Sequence, residues 1–173
     1  MDSLIIREVE LNDLESLRQI SIQTFTETFS EHNTESNMKE YITECLNTDK
    51  LKQELQTIGS SFYFALLGQQ IIGYLKLNTA KAQTEHHSED GFEIERIYVL
   101  KAFHGKQIGK ILFEKAKSIA LEKQYKTIWL GVWEKNTKAI AFYTRQGFTQ
   151  FDHHLFKLGN DKQTDILMEL KIN

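Results

Sequence analysis

Proline is absent from this sequence of 173 residues, and only one cysteine, Cys45, is present. A lone cysteine cannot form an internal disulfide, so the disulfide-stapled scaffolds of small secreted proteins are excluded and a reducing compartment is favoured. The sequence also has no apolar run near the ~20 residues that span a bilayer, and its first residues lack the basic and then apolar order of a signal peptide. We therefore expect a cytoplasmic protein that makes no contact with a membrane.

Positive charge is also in short supply. Lysine and arginine total 21 against 24 aspartates and glutamates, which gives a formal net charge of -3. No nucleic-acid partner is therefore required, because a general nucleic-acid binder needs net positive charge to displace counterions. Hydrophobic residues make up 40% and charged residues 26%, a composition typical of one globular domain, which we predict to span residues 1–173. A chain of this length buries roughly 70% of its unfolded surface and needs neither a disulfide nor a metal for its core.

Hydrophobic periodicity separates the chain into strand-like and helix-like segments. Strands are predicted at residues 4–9, 61–67, 71–78, 92–99, 127–133, 148–153 and 164–171. Helices are predicted at residues 12–29, around 38–45, 48–58, 108–124 and 137–146. A turn at 68–70 makes the second and third strands a hairpin, and residues 79–91 form a polar loop. This order, β-α-α-α-β-β-β-α-β-α-β-β, predicts a single α/β domain with a mixed sheet.

The segment from residue 95 to residue 116 has the clearest pattern for ligand chemistry. A strand runs into a loop with Gly105 and Gly109 and then into a helix, which directs backbone N–H groups toward one point and favours an anion there. No acidic residue lies between positions 100 and 113, whereas the same stretch contains Lys101, His104, Lys106 and Lys110. Neither a P-loop nor a dinucleotide fingerprint is present. The pattern indicates a phosphate cradle of another kind, and a solvated turn with ordinary surface lysines is the alternative.

The loop sequence, HGKQIG at residues 104–109, resembles the acyl-CoA loop of the GCN5-related N-acetyltransferases (GNAT), whose pattern is R/Q-x-x-G-x-G/A. The preceding strand, ERIYV, resembles the central strand of that family, and residues 127–148 resemble its second cofactor half. The likeness covers nearly the whole chain. It implies a mixed, twisted central sheet flanked by helices and splayed open between ERIYV and TIWLGVW. It also implies an enzyme that moves an acetyl group directly from acetyl-CoA to a primary amine.

Within the family, the sequence resembles the PaiA-type spermidine/spermine N-acetyltransferases at residues 26–29 and 163–165 as well as in the two cofactor halves. This likeness implies a polyamine acceptor such as spermidine or spermine. Two alternatives stay open. One is an enzyme that acts on a protein or peptide amine or on an aminoglycoside-like amine, and the other is a non-catalytic acyl-CoA-binding regulatory protein of the same fold. A homodimer is compatible with all of these.

The resemblance also implies which residues contact the cofactor. Main-chain groups of the ERIYV strand would pair with the pantetheine arm as an added strand, and the glycine loop would hold the diphosphate. An asparagine after the strand at 127–133 is the family's next contact, with a helix N-cap as its alternative role. The predicted set is Ile97, Tyr98, Val99, His104, Gly105, Lys106, Gln107, Ile108, Gly109, Lys110, Asn136, Ala139 and Tyr143.

Two loop positions differ from the family pattern. Gln107 stands where the family usually has glycine, and His104 where it usually has arginine or glutamine. We expect the backbone of Gln107 to keep a negative φ, with its side chain directed away from the phosphates, because side chains are rarely tolerated at positive φ. His104 can donate a hydrogen bond to a phosphate in place of arginine.

Two residues are candidates for the chemistry itself. The resemblance places Tyr143 beside the thioester sulfur, where a phenol can donate to the leaving thiolate; a core aromatic is the alternative. Glu95 is the candidate base, acting through a water. Strict alternation would put Glu95 on one face of its strand with Ile97 and Val99, where partial desolvation would raise its pKa. An ion pair with Arg96 or a nearby lysine is the alternative for Glu95.

A polyamine acceptor is attracted by negative charge. Residues 26–49 contain six acidic residues and a single lysine, and residues 84–95 contain five acidic residues and no lysine or arginine. Glu27 and Glu31 are the predicted substrate contacts, with solvated helix faces as the alternative. Neighbouring residues of a strand or loop point apart, so the pairs His86–His87 and His153–His154 lack convergent ligands and no metal site is predicted.

Overall fold

Strands and helices follow the predicted order along the chain. The structure, a computed structural model, describes residues 3–85 and 88–173, which contain seven β-strands and five α-helices. The strands are β1 Leu4–Glu8, β2 Ser60–Leu67, β3 Gln70–Thr79, β4 Gly91–Val99, β5 Thr127–Trp133, β6 Thr149–Leu158 and β7 Asp161–Lys171. The helices are α1 Leu14–Phe29, α2 Glu35–Cys45, α3 Thr48–Gln56, α4 Ile108–Glu122 and α5 Thr137–Arg145. Within the described ranges, no helix is both long and apolar enough to cross a membrane.

All seven strands form one mixed sheet in the order β1-β2-β3-β4-β5-β7-β6. Every neighbouring pair is antiparallel except β4 and β5, which run parallel. Their ladder contains three residue pairs, and its last pair joins Glu93 to Trp129. Beyond that pair the two strands separate, so the sheet splays open toward the C-terminal ends of β4 and β5. The α/β fold, the mixed sheet and the splay are therefore confirmed.

Helices cover both faces of the sheet. Helix α4 packs on β3 and β4, and its fully buried Leu112 and Ala116 lie four residues apart on the face predicted from periodicity. Burying a side chain such as Leu112 contributes about 1.5–3 kcal/mol. On the opposite face, α1 buries Leu17 and Ile20 against β2 and β3. Further along α1, Phe29 packs against Trp133 of β5 at a ring-centroid distance of 5.2 Å. The sheet is thus covered on both sides around the splay.

A β-bulge interrupts the pairing of β4 with β3. Arg96 pairs with Lys76, but the next pair joins Ile94 to Leu77, so Glu95 has no opposite residue in β3. Because the extra residue resets the alternation, Ile94 and Ile97 both pack on the α4 side of the sheet. The prediction that Glu95 shares a face with Ile97 and Val99 is therefore wrong.

The closing hairpin is longer than predicted. Strand β6 continues to Leu158 and β7 begins at Asp161, with a turn at Gly159 and Asn160 in which Gly159 has a φ of +59°. The tip of the hairpin rests on α2, since the backbone N–H of Asn160 donates to Oδ1 of Asn37 at 3.3 Å. The hairpin and α2 therefore flank the α1–α3 face of the sheet at the splay.

Candidate active site

The open edge of β4 lies in the splay. The backbone N–H of Leu100 donates to the carbonyl of Ile72 in β3 at 2.9 Å, so by alternation the main-chain groups of Val99 and Ile97 are directed to the other side, toward β5. The structure records a side-chain partner for one of them, since Nε2 of His104 lies 2.8 Å from the carbonyl oxygen of Val99 and must donate to it. His104 is thus tied to the strand that it follows.

Residues 104–107 form the turn that leads into α4. Among the described residues no acceptor pairs with the backbone N–H groups of residues 105–110. Gly105 has a φ of +78°, and a Cβ built on either Gly105 or Gly109 would meet no atom within 4 Å. Six consecutive unpaired donors beside an open space at a helix N-terminus suit an anion such as a diphosphate. The loop therefore fits the predicted ligand.

The backbone conformation of Gln107 differs from the predicted one. Its φ is +63° and its ψ is 11°, in the left-handed region, where it is the N-cap of α4. The prediction of a negative φ is wrong: the turn retains the backbone geometry of a glycine, and the exposed glutamine side chain accommodates it. Next to it, Ile108 is 8% exposed and packs into the core, so its backbone N–H is the group left for a ligand.

Positive charge surrounds this loop. The ammonium group of Lys106 lies 4.8 Å from the ring centroid of Phe103. Lys101 and Lys110 are exposed on either side of the turn. These lysines add a local positive field to the unpaired N–H groups, which favours the same negative ligand.

Helix α5 holds Tyr143 in the core. Tyr143 is 6% exposed, and its ring lies 5.6 Å from that of Phe148. Burial raises the pKa of its phenol, which keeps the hydroxyl protonated. Asn136 is the N-cap of the helix, and its Oδ1 accepts from the backbone N–H of Ala139 at 3.3 Å. The alternative capping role of Asn136 is thus confirmed, while the cofactor contacts of Asn136 and Ala139 stay predictions.

The structure places Glu95 in a buried charge network. Its carboxylate lies 2.5 Å from Nζ of Lys76 and 3.4 Å from the guanidinium of Arg96, and it accepts from Nδ2 of Asn78 at 2.6 Å. Burial alone would raise the pKa of Glu95, but the charges of Arg96 and Lys76 and the hydrogen bonds outweigh it, and the pKa is lowered. The expected rise in its pKa is therefore wrong, and the alternative of an ion pair is the observed state.

Glu93 is held beside this network. It is 2% exposed, and its carboxylate accepts from Nδ2 of Asn78 at 3.0 Å and from the backbone N–H of Thr84 at 2.9 Å. Burial raises the pKa of Glu93, although its hydrogen bonds act in the opposite direction. Both glutamates of β4 thus have fixed partners on the α1–α3 side of the sheet.

The two predicted substrate contacts lie at the end of α1. Oε2 of Glu27 accepts from the backbone N–H of Lys101 at 2.7 Å, which ties α1 to the end of β4. Glu31 is exposed on the turn after α1 and makes no hydrogen bond or ion pair with another described residue. The structure therefore gives Glu27 a structural partner and leaves Glu31 facing solvent; their contacts with substrate stay predictions.

One cluster was missed at the sequence level. His154 of β6 lies with Nδ1 2.9 Å from Glu85 and Nε2 3.6 Å from Asp165 of β7. The two carboxylates flank opposite ring nitrogens, and no group of three His, Cys, Asp or Glu among the described residues could hold a metal ion. Burial raises the pKa of Asp165, partly offset by His154. Ending β6 at residue 153 hid the cluster; the turn signal at Gly159 and Asn160 would have revealed it.

The two histidine pairs contain three further residues, His86, His87 and His153. His86 and His87 lie outside the described residues. His153 is 68% exposed on the side chain, with Nδ1 3.9 Å from Asp152. His153 and His154 therefore have different surroundings, as expected for neighbours on a strand.

A turn with unpaired N–H groups thus precedes α4 beside a splayed sheet, an arrangement that suits a transferase with an anionic cofactor. Residues 14–148 match the Acetyltransferase (GNAT) family, and the chain belongs to this family. It is an N-acetyltransferase whose acetyl donor is acetyl-CoA, as the loop sequence predicted.

Individual relatives cover the whole length. An uncharacterised N-acetyltransferase of the pepI 3' region of Lactobacillus delbrueckii subsp. lactis is 41% identical over 169 residues, which is 98% of each chain. A spermidine N(1)-acetyltransferase of Thermoplasma acidophilum is 25% identical over 173 residues and 98% of each chain. The solved PaiA N-acetyltransferase from Thermoplasma acidophilum, in complex with coenzyme A, has a TM-score of 0.81 at 24% identity, covering 98% of this chain and 99% of that chain. This likeness shows the shared fold.

Proposed function

We propose that the protein transfers the acetyl group of acetyl-CoA to a primary amine of a polyamine such as spermidine or spermine. The observation that carries the proposal is the separation of charge across the splay. Lysines and unpaired N–H groups surround the turn before α4, whereas on the α1–α3 side the carboxylates of Glu85 and Asp165 lie beside His154 and Glu31 is exposed on the turn after α1. A polycation is steered toward the second region and an anionic cofactor toward the first. The full-length similarity to a spermidine N(1)-acetyltransferase supports the same acceptor.

The cofactor half of the site uses main-chain groups. The N–H groups of residues 105–110 would hold the diphosphate, and the free edge of β4 at Ile97 and Val99 would pair with the pantetheine arm. His104 would release the carbonyl of Val99 in order to reach a phosphate. The bound cofactor supplies a thioester carbonyl as the acetyl donor.

Two proton movements must accompany the transfer. An alkyl ammonium has a pKa near ~10.4 by analogy with lysine, so the amine must lose a proton before it can attack. The leaving thiolate is stabilised by a hydrogen-bond donor, and Tyr143 is our candidate because its raised pKa keeps its hydroxyl protonated. Glu95, the base predicted from sequence, has two cationic partners that lower its pKa. A carboxylate in that state is a poor proton acceptor.

The test measures thiol release by the purified protein with acetyl-CoA and a panel of amines. The panel contains spermine, spermidine, 1,8-diaminooctane and butylamine, with a lysine peptide and an aminoglycoside as the alternative acceptors. We expect kcat/KM to fall along the first four by about tenfold or more overall, the effect of losing one charge-assisted contact. The diamine is the matched control, because it has the length of spermidine without the internal charge.

Two results would contradict the proposal. Equal kcat/KM for butylamine and spermidine would mean that the carboxylates do not select a polycation. Turnover of the peptide or the aminoglycoside in preference to every polyamine would assign the enzyme to another acceptor, and tight acetyl-CoA binding without any turnover would favour the regulatory role.

A further inference from the structure

The cluster around His154 lies at the mouth of the splay. Trp129 is the last residue of β5 that pairs with β4, and Gly131 follows two residues later. Gly131 is exposed although its neighbours Leu130 and Val132 are buried against the α4 side, so it opens onto the opposite face. A Cβ built on Gly131 would lie 3.7 Å from Cε1 of His154 and 3.6 Å from Oδ2 of Asp165. The missing side chain of Gly131 thus leaves a space in front of the imidazole ring.

His154 and Tyr143 lie on opposite sides of the sheet. Tyr143 packs with Phe148 in the core cluster on the α4 side, whereas His154 faces Gly131 from the α1–α3 side. A carbonyl held in the splay would therefore have a phenol on one side and an imidazole on the other. A base can then act on the amine from one side of the sheet while a hydrogen-bond donor reaches the leaving sulfur from the other.

The surroundings of the ring suit proton transfer. Nδ1 is shielded from solvent and lies 2.9 Å from the carboxylate of Glu85, with which it pairs by charge without forming a hydrogen bond. Nε2 lies 3.6 Å from Asp165, too far for a direct hydrogen bond, so its lone pair is available. Among the residues that the structure describes, the ionisable groups within ion-pair distance of His154 are Glu85 from the loop before β4 and Asp165 from β7, while β5 contributes the uncharged Gly131. The side chain remains 31% exposed, which gives a route for the proton to solvent.

We propose that His154 is the general base of the acetyl transfer, with Glu85 and Asp165 as positioning residues; this rests on the proposed function, of which it is one step. The ammonium group loses one proton to Nε2 of His154. The freed lone pair on nitrogen forms the C–N bond, and the C–S bond breaks with its electrons on sulfur, which accepts a hydrogen bond from Tyr143. The second proton lost by nitrogen reaches the departing thiolate through solvent, and His154 returns its own proton to solvent.

The adjacent residue gives a matched control. His154→Asn removes the base, and His153→Asn makes the same change one position along the strand on an exposed side chain. Both variants, with Glu85→Gln and Asp165→Asn, are compared with the wild type in thiol-release assays across pH. The acceptor is whichever amine of the panel the wild type acetylates fastest. Melting temperature and the Kd for acetyl-CoA are measured alongside.

We expect His154→Asn to lower kcat by about 10²-fold or more at neutral pH, the usual contribution of a general base. The acidic limb of the kcat/KM profile should disappear, while Kd for acetyl-CoA and the melting temperature stay unchanged. The defect should shrink with an alkoxyamine acceptor, which is already neutral at pH 7 and needs no base to free its lone pair. Asp165→Asn and Glu85→Gln should shift the acidic limb and lower kcat less.

The outcomes separate the two proposals. If His154→Asn matches His153→Asn, or if its defect is the same for the neutral and the protonated acceptor, His154 is not the base. Weakened acetyl-CoA binding by His154→Asn would assign it a structural role and also overturn the inference. Turnover of a peptide amine but of no polyamine overturns the proposed acceptor, and the comparison of the two variants then tests His154 with that amine. A wild-type protein that acetylates no amine overturns both proposals.

Discussion

Two substitutions of Gly109 should separate the stability of the fold from the binding of the cofactor. It lies in the first turn of α4, outside the left-handed region, and a Cβ built on it meets no atom within 4 Å. Gly109→Ala therefore fits the folded chain and removes the conformational freedom of a helical glycine. We expect the free energy of unfolding to rise by about 0.5–1 kcal/mol. For a domain of this size that gain raises the melting temperature by about 1–4 °C.

Alanine is compatible with the family pattern at this position, whereas the branched side chain of a Gly109→Val variant would occupy the space proposed for the diphosphate. Displacing a phosphate oxygen from one backbone N–H removes a charge-assisted hydrogen bond of about 1.5–3 kcal/mol. We therefore expect Kd for coenzyme A to rise by about 10- to 100-fold, because each 1.4 kcal/mol is a factor of ten. Isothermal titration calorimetry and a thermal melt on the same sample provide the two readings.

Gly105→Ala is the matched control within the turn. It has the same open space but a φ of +78°, so an added side chain costs about 1–2 kcal/mol. Its melting temperature should therefore fall where that of Gly109→Ala rises. A folded Gly109→Val variant that binds coenzyme A as tightly as Gly109→Ala and the wild type would refute the phosphate cradle.

Three further predictions concern the neighbouring residues. Tyr143→Phe should lower kcat by about 10²-fold, as expected on loss of a catalytic hydrogen-bond donor, and should leave Kd for acetyl-CoA unchanged; wild-type turnover would remove Tyr143 from the mechanism. Gln107→Gly should raise the free energy of unfolding by about 0.5–1 kcal/mol by relieving the left-handed backbone, and a lower melting temperature would contradict the observed φ. Glu95→Gln should destabilise the fold by about 1.5–3 kcal/mol at pH 7, because it weakens the charge-assisted contacts of Glu95 while Glu54 still pairs with Lys76 and Arg96. The pKa of Glu95 is lowered in the fold, so its stabilising effect is present above the ordinary carboxyl pKa and is lost as the pH falls through the lowered value. Denaturant titrations should therefore show the variant and the wild type converging in strongly acidic buffer, and a constant difference would argue against the charge network.

Hydrophobic periodicity correctly predicted the elements that bury a regularly spaced row of apolar side chains. Helix α4 was predicted at 108–124 and ends at residue 122, because Ile108, Leu112 and Ala116 recur at four-residue intervals on a single core. Its end was misplaced by two residues because Gln124, with a φ of +62°, stops the helix without a glycine or a proline to announce it. The glycine loop and its lysines were also predictable, since an anion site at a helix start depends on local sequence.

Other features depend on pairing between distant residues. The bulge at Glu95 adds one residue to β4 relative to β3, which no alternation within β4 can reveal. The charged state of the buried Glu95 likewise depends on Lys76, which lies nineteen positions earlier in the chain and on the neighbouring strand β3. The cluster at His154 joins a loop and two strands of a hairpin, so it exists only once the register of β6 and β7 is set. Strand β6 itself is an edge strand with mostly exposed residues and gives a weak hydrophobic signal.

The short parallel ladder divides the sheet into two antiparallel blocks, one of β1 to β4 and one of β5 to β7, that share a seam of three residue pairs. An extended ligand arm in that seam would take the place of missing backbone pairs and would join the blocks mechanically. The polar groups that a folded protein ordinarily satisfies within itself are here left for a small molecule. Ligand binding and the cohesion of the sheet therefore depend on the same main-chain atoms.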